Sequence, residues 1–247
     1  MGAEVPGPPS WSEIADWYDS LIRDRSGPHD LAVATTLRLV PDLRDASVLD
    51  LACGQGLAAR ALARAGARSV TGVDLTPELI EAARRYEAAD PLGIRYLVAD
   101  AHALHELSSA EFDIVTCQLA LMDIPDLAAA LTAVARVLRP RGAFVFVIGH
   151  PCFLAPFAST VAAPNGTPGR LISSYLAERF WRSGNPDGVR RVGNHHRTIS
   201  TYLNALTRSG LALDVVDEPP ADGLLAELEP VYSAVPIFLA ARAIKPR

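Results

Sequence analysis

The chain has 247 residues, 49% of them hydrophobic, and a formal net charge of −5. That length is enough for one large core or a core with a cap, and that apolar content excludes a disordered chain. The bases are scattered, Lys245 is the only lysine, and no basic block interleaves with aromatics, which argues against a nucleic-acid partner.

No uninterrupted apolar run reaches the roughly 20 residues of a membrane span. The segment Met1 to Ser10, rich in Pro and Gly, lacks the apolar core of a secretory leader. A cytoplasmic protein is therefore expected. Cys53, Cys117 and Cys152 are too few and too far apart for a disulfide framework or a zinc cluster, so no metal is expected and the thiols read as small core-lining groups.

Residues 1–10 read as a mobile arm. Ser10 and Glu13 have the spacing of a capping box, and Trp11, Ile14, Trp17, Tyr18, Leu21 and Ile22 follow at helical spacing. A second helix runs from His29 to Val40 and stops at Pro41. Val48 to Leu51 is a buried strand. The small-residue turn Ala52-Cys53-Gly54-Gln55-Gly56 follows it, then a helix over Leu57 to Ala65 with Gly66 past its end. Ser69 to Asp74 is a strand, and Thr76-Pro77 opens a helix that runs to about Ala89. Ile94 to Val98 and Phe112 to Cys117 are strands, Pro125 to Leu138 a helix, Arg141-Gly142 a turn and Ala143 to Ile148 a fifth strand.

Strands alternating with helices in this way predict a parallel sheet with right-handed crossovers. Ligands then bind outside the carboxyl ends of the strands. Residues 150–197 break the alternation with an irregular segment rich in Pro and Gly and dotted with aromatics. Loops of that length usually bind or cover ligands. Thr198 to Ser209 is a helix, Leu211 to Val216 a strand, Leu224 to Leu228 a weaker strand candidate, and Ser233 to Ala243 a closing strand.

The turn at residues 52–56 lets backbone approach a ligand, and the helix start behind it offers free N–H groups. Gly54, Gly56 and Ala59 fit the dinucleotide pattern G-x-G-x-x-G/A, with Asp74 near the distance of a ribose-binding acid. Asp50 is the discordant residue. An acid inside a buried strand is costly unless paired, and a nicotinamide site has no need of it.

Val-Leu-Asp-Leu-Ala-Cys-Gly-Gln-Gly, residues 48–56, resembles motif I of the class I S-adenosylmethionine-dependent methyltransferases, with Ala52 in place of that motif's first glycine. The resemblance extends over residues 11–245. It implies an α/β, Rossmann-like, doubly wound seven-stranded sheet with a reversed final strand. On that pattern residues 1–45 are an arm and cap helices and 46–149 the cofactor-binding core. Residues 150–197 form a lid over the substrate, and 198–247 supply the helix and antiparallel strand pair that complete the core.

The same resemblance implies S-adenosylmethionine as cofactor and S-adenosylhomocysteine as product. It assigns the ribose to Asp74, the adenine amino group to Asp100 beside Ala101, and the flanks of the ring to Leu75 and His102. Asp50 supports the turn and the ammonium, together with Ala52, Gly54 and Gly56. Tyr18 closes the pocket from the N-terminal helix, Gln118 binds the cofactor, and Cys117 to Asp123 line the transfer site. A base that works near neutrality is best supplied by histidine, and the candidates are His150, His195 and His196. Met122, Phe153, Tyr175, Trp181 and Arg197 are candidates to hold a small organic acceptor, Arg197 through a carboxylate. Two rivals stand beside methyl transfer to O or N, or to C. One is a cyclase or non-catalytic subunit that binds the same cofactor, and the other an NAD(P)-dependent oxidoreductase, which Asp50, Asp100 and the reversed strand disfavour.

Overall fold

The computed structural model describes residues 10–24, 27–221 and 223–247; the arm expected over residues 1–10 lies outside them but for Ser10. Helix α1 (Trp11–Asp24) starts as its sequence predicts. The Ser10 backbone N–H donates to the Glu13 carboxylate, and the Glu13 N–H donates to Ser10 Oγ at 3.3 Å. Its buried face, Ile14, Ala15 and Ile22, is joined to the core by Tyr86, whose hydroxyl donates to Asp19 at 2.7 Å. Helix α2 (Gly27–Leu39) follows, with Leu31, Ala32, Thr35, Thr36 and Leu39 buried.

Strand β1 (Ser47–Leu51) is buried at all five positions, as a strand covered on both faces must be. It leads through the glycine turn into α3 (Leu57–Arg64). Then come β2 (Ser69–Asp74), α4 (Pro77–Ala89), β3 (Arg95–Val98), β4 (Phe112–Gln118), α5 (Leu127–Val137) and β5 (Leu138–Gly149). The insertion contains β6 (Ser159–Ala162), β7 (Pro168–Leu171), β8 (Arg179–Trp181) and β9 (Asn194–His196). The chain returns to the core with α6 (Ile199–Arg208), β10 (Ala212–Asp217), α7 (Gly223–Leu228) and β11 (Phe238–Ile244).

Seven strands form one sheet in the order β10-β11-β5-β4-β1-β2-β3. The β1–β2, β2–β3, β1–β4 and β4–β5 pairs are parallel, and β11 runs antiparallel to both β5 and β10. The reversed closing strand is therefore present, and the order switches beside β1, where a ligand crevice is expected.

Five local expectations differ. The weak strand candidate at 224–228 is helix α7, and the closing strand begins at Phe238, because Pro230–Ser233 makes a 3₁₀ turn. Pro125 stays outside α5, which Asp126 caps by accepting from the Ala129 N–H at 2.9 Å. The Arg141-Gly142 turn lies within β5 as a bulge: Phe112 pairs with Leu138 but Ile114 with Ala143, and Arg141 has φ 67°. The insertion is built on two hairpins, β6–β7 and β8–β9, which its Pro/Gly-rich composition concealed.

The glycine turn shows why its residues are small. Gly56 has φ 89°, and a Cβ there would lie 2.3 Å from the hydroxyl of Tyr96, itself buried. Gly56→Ala is expected to lower stability by about 2–3 kcal/mol, from overpacking and the left-handed backbone together. Urea unfolding would measure it; a loss under about 0.5 kcal/mol would mean that Tyr96 swings aside freely.

Candidate functional site

Two cavities open at the carboxyl ends of the strands. The first, about 380 Å³, is lined from β1, β2 and the loops after β3 and β4, and is covered by α1. Of the eleven residues expected to bind cofactor, ten line it: Tyr18, Asp50, Ala52, Gly54, Asp74, Leu75, Asp100, Ala101, His102 and Gln118. Gly56 does not, because Tyr96 fills the space beside it. Gly54, at φ 55°, has open space where a Cβ would stand.

The carboxylates in this cavity differ in what they can still bind. Asp74 accepts from the Gly54 N–H and the Thr76 N–H, both at 2.9 Å, so the acid braces the turn it faces. Burial raises its pKa, and those bonds oppose the rise. Asp50 is almost fully buried in β1; Thr116 Oγ1 donates to its Oδ1 at 2.8 Å, while Oδ2 has no partner. Burial pushes Asp50 up to about 7 against the hydrogen bond from Thr116. Asp100 Oδ1 accepts from the His102 N–H at 2.9 Å and lies 2.8 Å from His102 Nδ1. Leu75 is 65% exposed although apolar, which suits a flat ligand resting on it.

Sequence reasoning missed two groups here. His29, on α2, sits with Nε2 3.2 Å from the Tyr18 hydroxyl, and burial lowers its pKa to about 4. Asp123 was seen only as part of the loop after β4. Its Oδ1 accepts from Arg190 at 2.9 Å, and burial raises it to about 6 in spite of that arginine. Arg190 lies 67 residues away in the insertion, so no local pattern announces the pair.

The second cavity, about 390 Å³, lies between the end of β5 and the insertion. His150, His195, His196, Met122, Trp181 and Arg197 line it; Phe153 and Tyr175 do not. Phe153 packs on the His150 ring at 4.7 Å. The Tyr175 hydroxyl accepts from the Ile199 N–H at 3.0 Å, fixing the start of α6. Asp123 lines the first cavity and Arg190 the second, so their ion pair stands where the two meet.

The three histidines separate by hydrogen bonding. His150 Nδ1 accepts from the Cys152 N–H at 3.2 Å, so Nε2 carries the proton and donates to Glu218 at 2.8 Å. With both nitrogens engaged, His150 is not a free base. His196 Nε2 donates to the Tyr175 carbonyl at 2.7 Å, leaving only a buried Nδ1. The His195 ring packs at a tilt 5.0 Å from Phe180 and makes no hydrogen bond among the described residues. Burial, then the charge of Arg197, lowers its pKa, so it is neutral near pH 7. Arg197 is not free for a substrate carboxylate, because its guanidinium donates to the carbonyls of Leu121, Ile124 and Pro125 at 3.1, 2.7 and 2.7 Å.

A family model described as a methyltransferase domain matches residues 49–146. Among solved structures, an S-adenosylmethionine-dependent methyltransferase from Mesorhizobium loti superposes with a TM-score of 0.72 at 31% identity, covering 85% of this chain and 96% of that one. The chain belongs to the S-adenosylmethionine-dependent methyltransferase family. Curated relatives include the ubiquinone biosynthesis O-methyltransferase of Xanthomonas oryzae pv. oryzae, 41% identical over 101 residues. That match takes in 41% of this chain and 42% of the relative. The protein of that name from Neisseria meningitidis serogroup C is 37% identical over 147 residues, 55% of this chain and 58% of the relative. The chain thus spans about half the length of the curated relatives it matches.

The family's cofactor suits the first cavity on the structure's own evidence. S-Adenosylmethionine brings an ammonium, a sulfonium and a ribose diol. Asp50 offers an unpartnered buried oxygen, and Asp74 a braced carboxylate with lone pairs to spare. The nicotinamide rival is thereby set aside. Among the described residues no group of three or more His, Cys, Asp or Glu is placed to hold a metal, and no helix is long and apolar enough to cross a membrane.

Proposed function

We propose that this methyltransferase-family protein transfers a methyl group from S-adenosylmethionine to an oxygen or nitrogen of a small organic molecule held in the second cavity. The observation that carries the reading is the unpartnered Asp50 Oδ2, buried beside the open Gly54 turn, where a cationic or hydrogen-donating ligand would relieve it. The cofactor supplies a methyl group already activated on sulfur. The protein's part is to hold cofactor and acceptor and to exclude water. Asp50 holds the ammonium, Asp74 the ribose, and Leu75 and His102 flank the adenine. The Asp123–Arg190 pair stands at the boundary that the methyl group crosses, and His195 takes the proton that the acceptor loses.

Calorimetric titration with S-adenosylmethionine, S-adenosylhomocysteine and NADH tests the cofactor. Micromolar binding of the first two is expected; binding of NADH alone would overturn the reading. Transfer of labelled methyl to an acceptor panel then separates the enzyme from a cofactor-binding cyclase or non-catalytic subunit.

Asp50 adds a pH signature. Held near 7, it is mostly protonated below neutrality in the free protein, whereas the ligand's ammonium favours the carboxylate. Affinity for S-adenosylhomocysteine should rise about tenfold from pH 5.5 to 7, with proton release on binding. Asp50→Asn should abolish both. The free protein has the opposite sign. Its folded pKa lies above the unfolded one, so between about pH 4 and 7 the folded state keeps a proton the unfolded state has lost, and stability falls as pH rises. A flat affinity profile would show that Asp50 does not face the ammonium.

A further inference from the structure

The two cavities carry opposite charge. Asp50, Asp74, Asp100 and Asp123 line the first, with no Arg or Lys among its described lining residues. Arg170, Arg182, Arg190 and Arg197 line the second, with no Asp or Glu among its described lining residues.

Two of these arginines already have occupations: Arg190 pairs with Asp123, and Arg197 holds three backbone carbonyls. The other two form no ion pair among the described residues, and each lies over an aromatic ring, Arg170 5.9 Å from the centre of Tyr232 and Arg182 4.9 Å from that of Phe180. Arg170 donates to the Phe153 carbonyl at 2.9 Å and to Thr160 Oγ1 at 3.1 Å, and Arg182 to the Val192 carbonyl at 3.4 Å. These contacts engage some N–H groups and place no carboxylate against either guanidinium. Each guanidinium has five donors, so both have N–H groups left for a ligand. Beside them Trp181 and Tyr202 give the wall aromatic surface.

We propose that the acceptor is an aromatic molecule bearing an oxyanion group, carboxylate or phosphate, which Arg170 and Arg182 anchor in the second cavity. This rests on the methyl-transfer reading and names its substrate class. A fork of N–H donors matches a planar carboxylate or a phosphate face in a way that lysine would not. The split in charge also orients the ligands: the cofactor's cationic groups are drawn to the first cavity, and the acceptor's anion to the second.

The test is calorimetry on the full chain saturated with S-adenosylhomocysteine. The probes are 3,4-dihydroxybenzoate, its uncharged methyl ester and 4-hydroxyphenyl phosphate, at low and high salt. The acids should bind at least tenfold more tightly than the ester, with the difference shrinking at high salt. The better of the two acids identifies the oxyanion. Arg170→Gln and Arg182→Gln should each remove most of that preference and leave S-adenosylhomocysteine affinity unchanged. Arg182 is exposed, so R182Q keeps the test open should R170Q fail to fold. The proposal is overturned if the ester binds as well as the acids, if neither acid binds at millimolar concentration, or if the preference survives in both variants. Failure of the wild type to bind S-adenosylhomocysteine would instead sink the methyl-transfer reading, and the acid–ester comparison would still report on the cavity.

Discussion

Arg197→Met should lower the free energy of unfolding by about 3–4 kcal/mol, one of the largest losses expected from a single side chain in this protein. The reason is the number of groups one guanidinium serves. It is buried, and it donates to the carbonyls of Leu121, Ile124 and Pro125. Methionine fills the volume but leaves three carbonyls without their donor, and charged hydrogen bonds contribute about 1.5–3 kcal/mol each before losses overlap. For a chain of this length the thermal midpoint should fall by roughly 10 °C. Arg197→Lys should recover only part of the loss, since an ammonium cannot span the three acceptors as a planar fork does. A fall under about 1 kcal/mol would show that residues 121–125 keep their shape without it. Because Asp123 and Met122 sit in that loop, the variant should also loosen the boundary between the cavities, read as weaker binding of acceptor and cofactor together.

His195→Ala should cut kcat by about 100- to 1000-fold with little change in S-adenosylhomocysteine affinity, the effect expected for loss of a positioned base. Its ring is the one of the three histidine candidates with both nitrogens free of described partners. With its pKa lowered by burial and by Arg197, kcat should climb with pH through a value below the usual histidine range and then level off. His150→Ala should act mainly on stability, because it breaks the bond to Glu218 and the two backbone contacts at Cys152 and Phe153. Full turnover in H195A would mean that the acceptor ionises unaided or loses its proton to water.

The amino-acid sequence by itself determined the α/β alternation and the strand ends at which the first cavity opens, while the reversed closing strand came with the resemblance to the methyltransferases. The first two follow from local rules: apolar periodicity, turn chemistry, and where a strand ends. Asp50 was legible because a charge inside an apolar run is conspicuous wherever the strand lies, and Gly54 because its turn joins a strand to a helix.

Only the tertiary structure decided what each site residue is free to do. Gly56 belonged to the same motif as Gly54, yet Tyr96 of β3, two strands away in the sheet, closes its space. His150, His195 and His196 are equivalent on paper. They differ because one meets Glu218, 68 residues on, one meets the Tyr175 carbonyl, 21 residues back, and one meets neither. Arg197 looked like a substrate anchor until its carbonyl partners, 72–76 residues away, were in view. The separation of charge between the cavities has the same origin. Acids from four strand ends and arginines from the insertion carry no common sequence pattern, and it is the folding of distant segments onto one edge of the sheet that sorts them by sign.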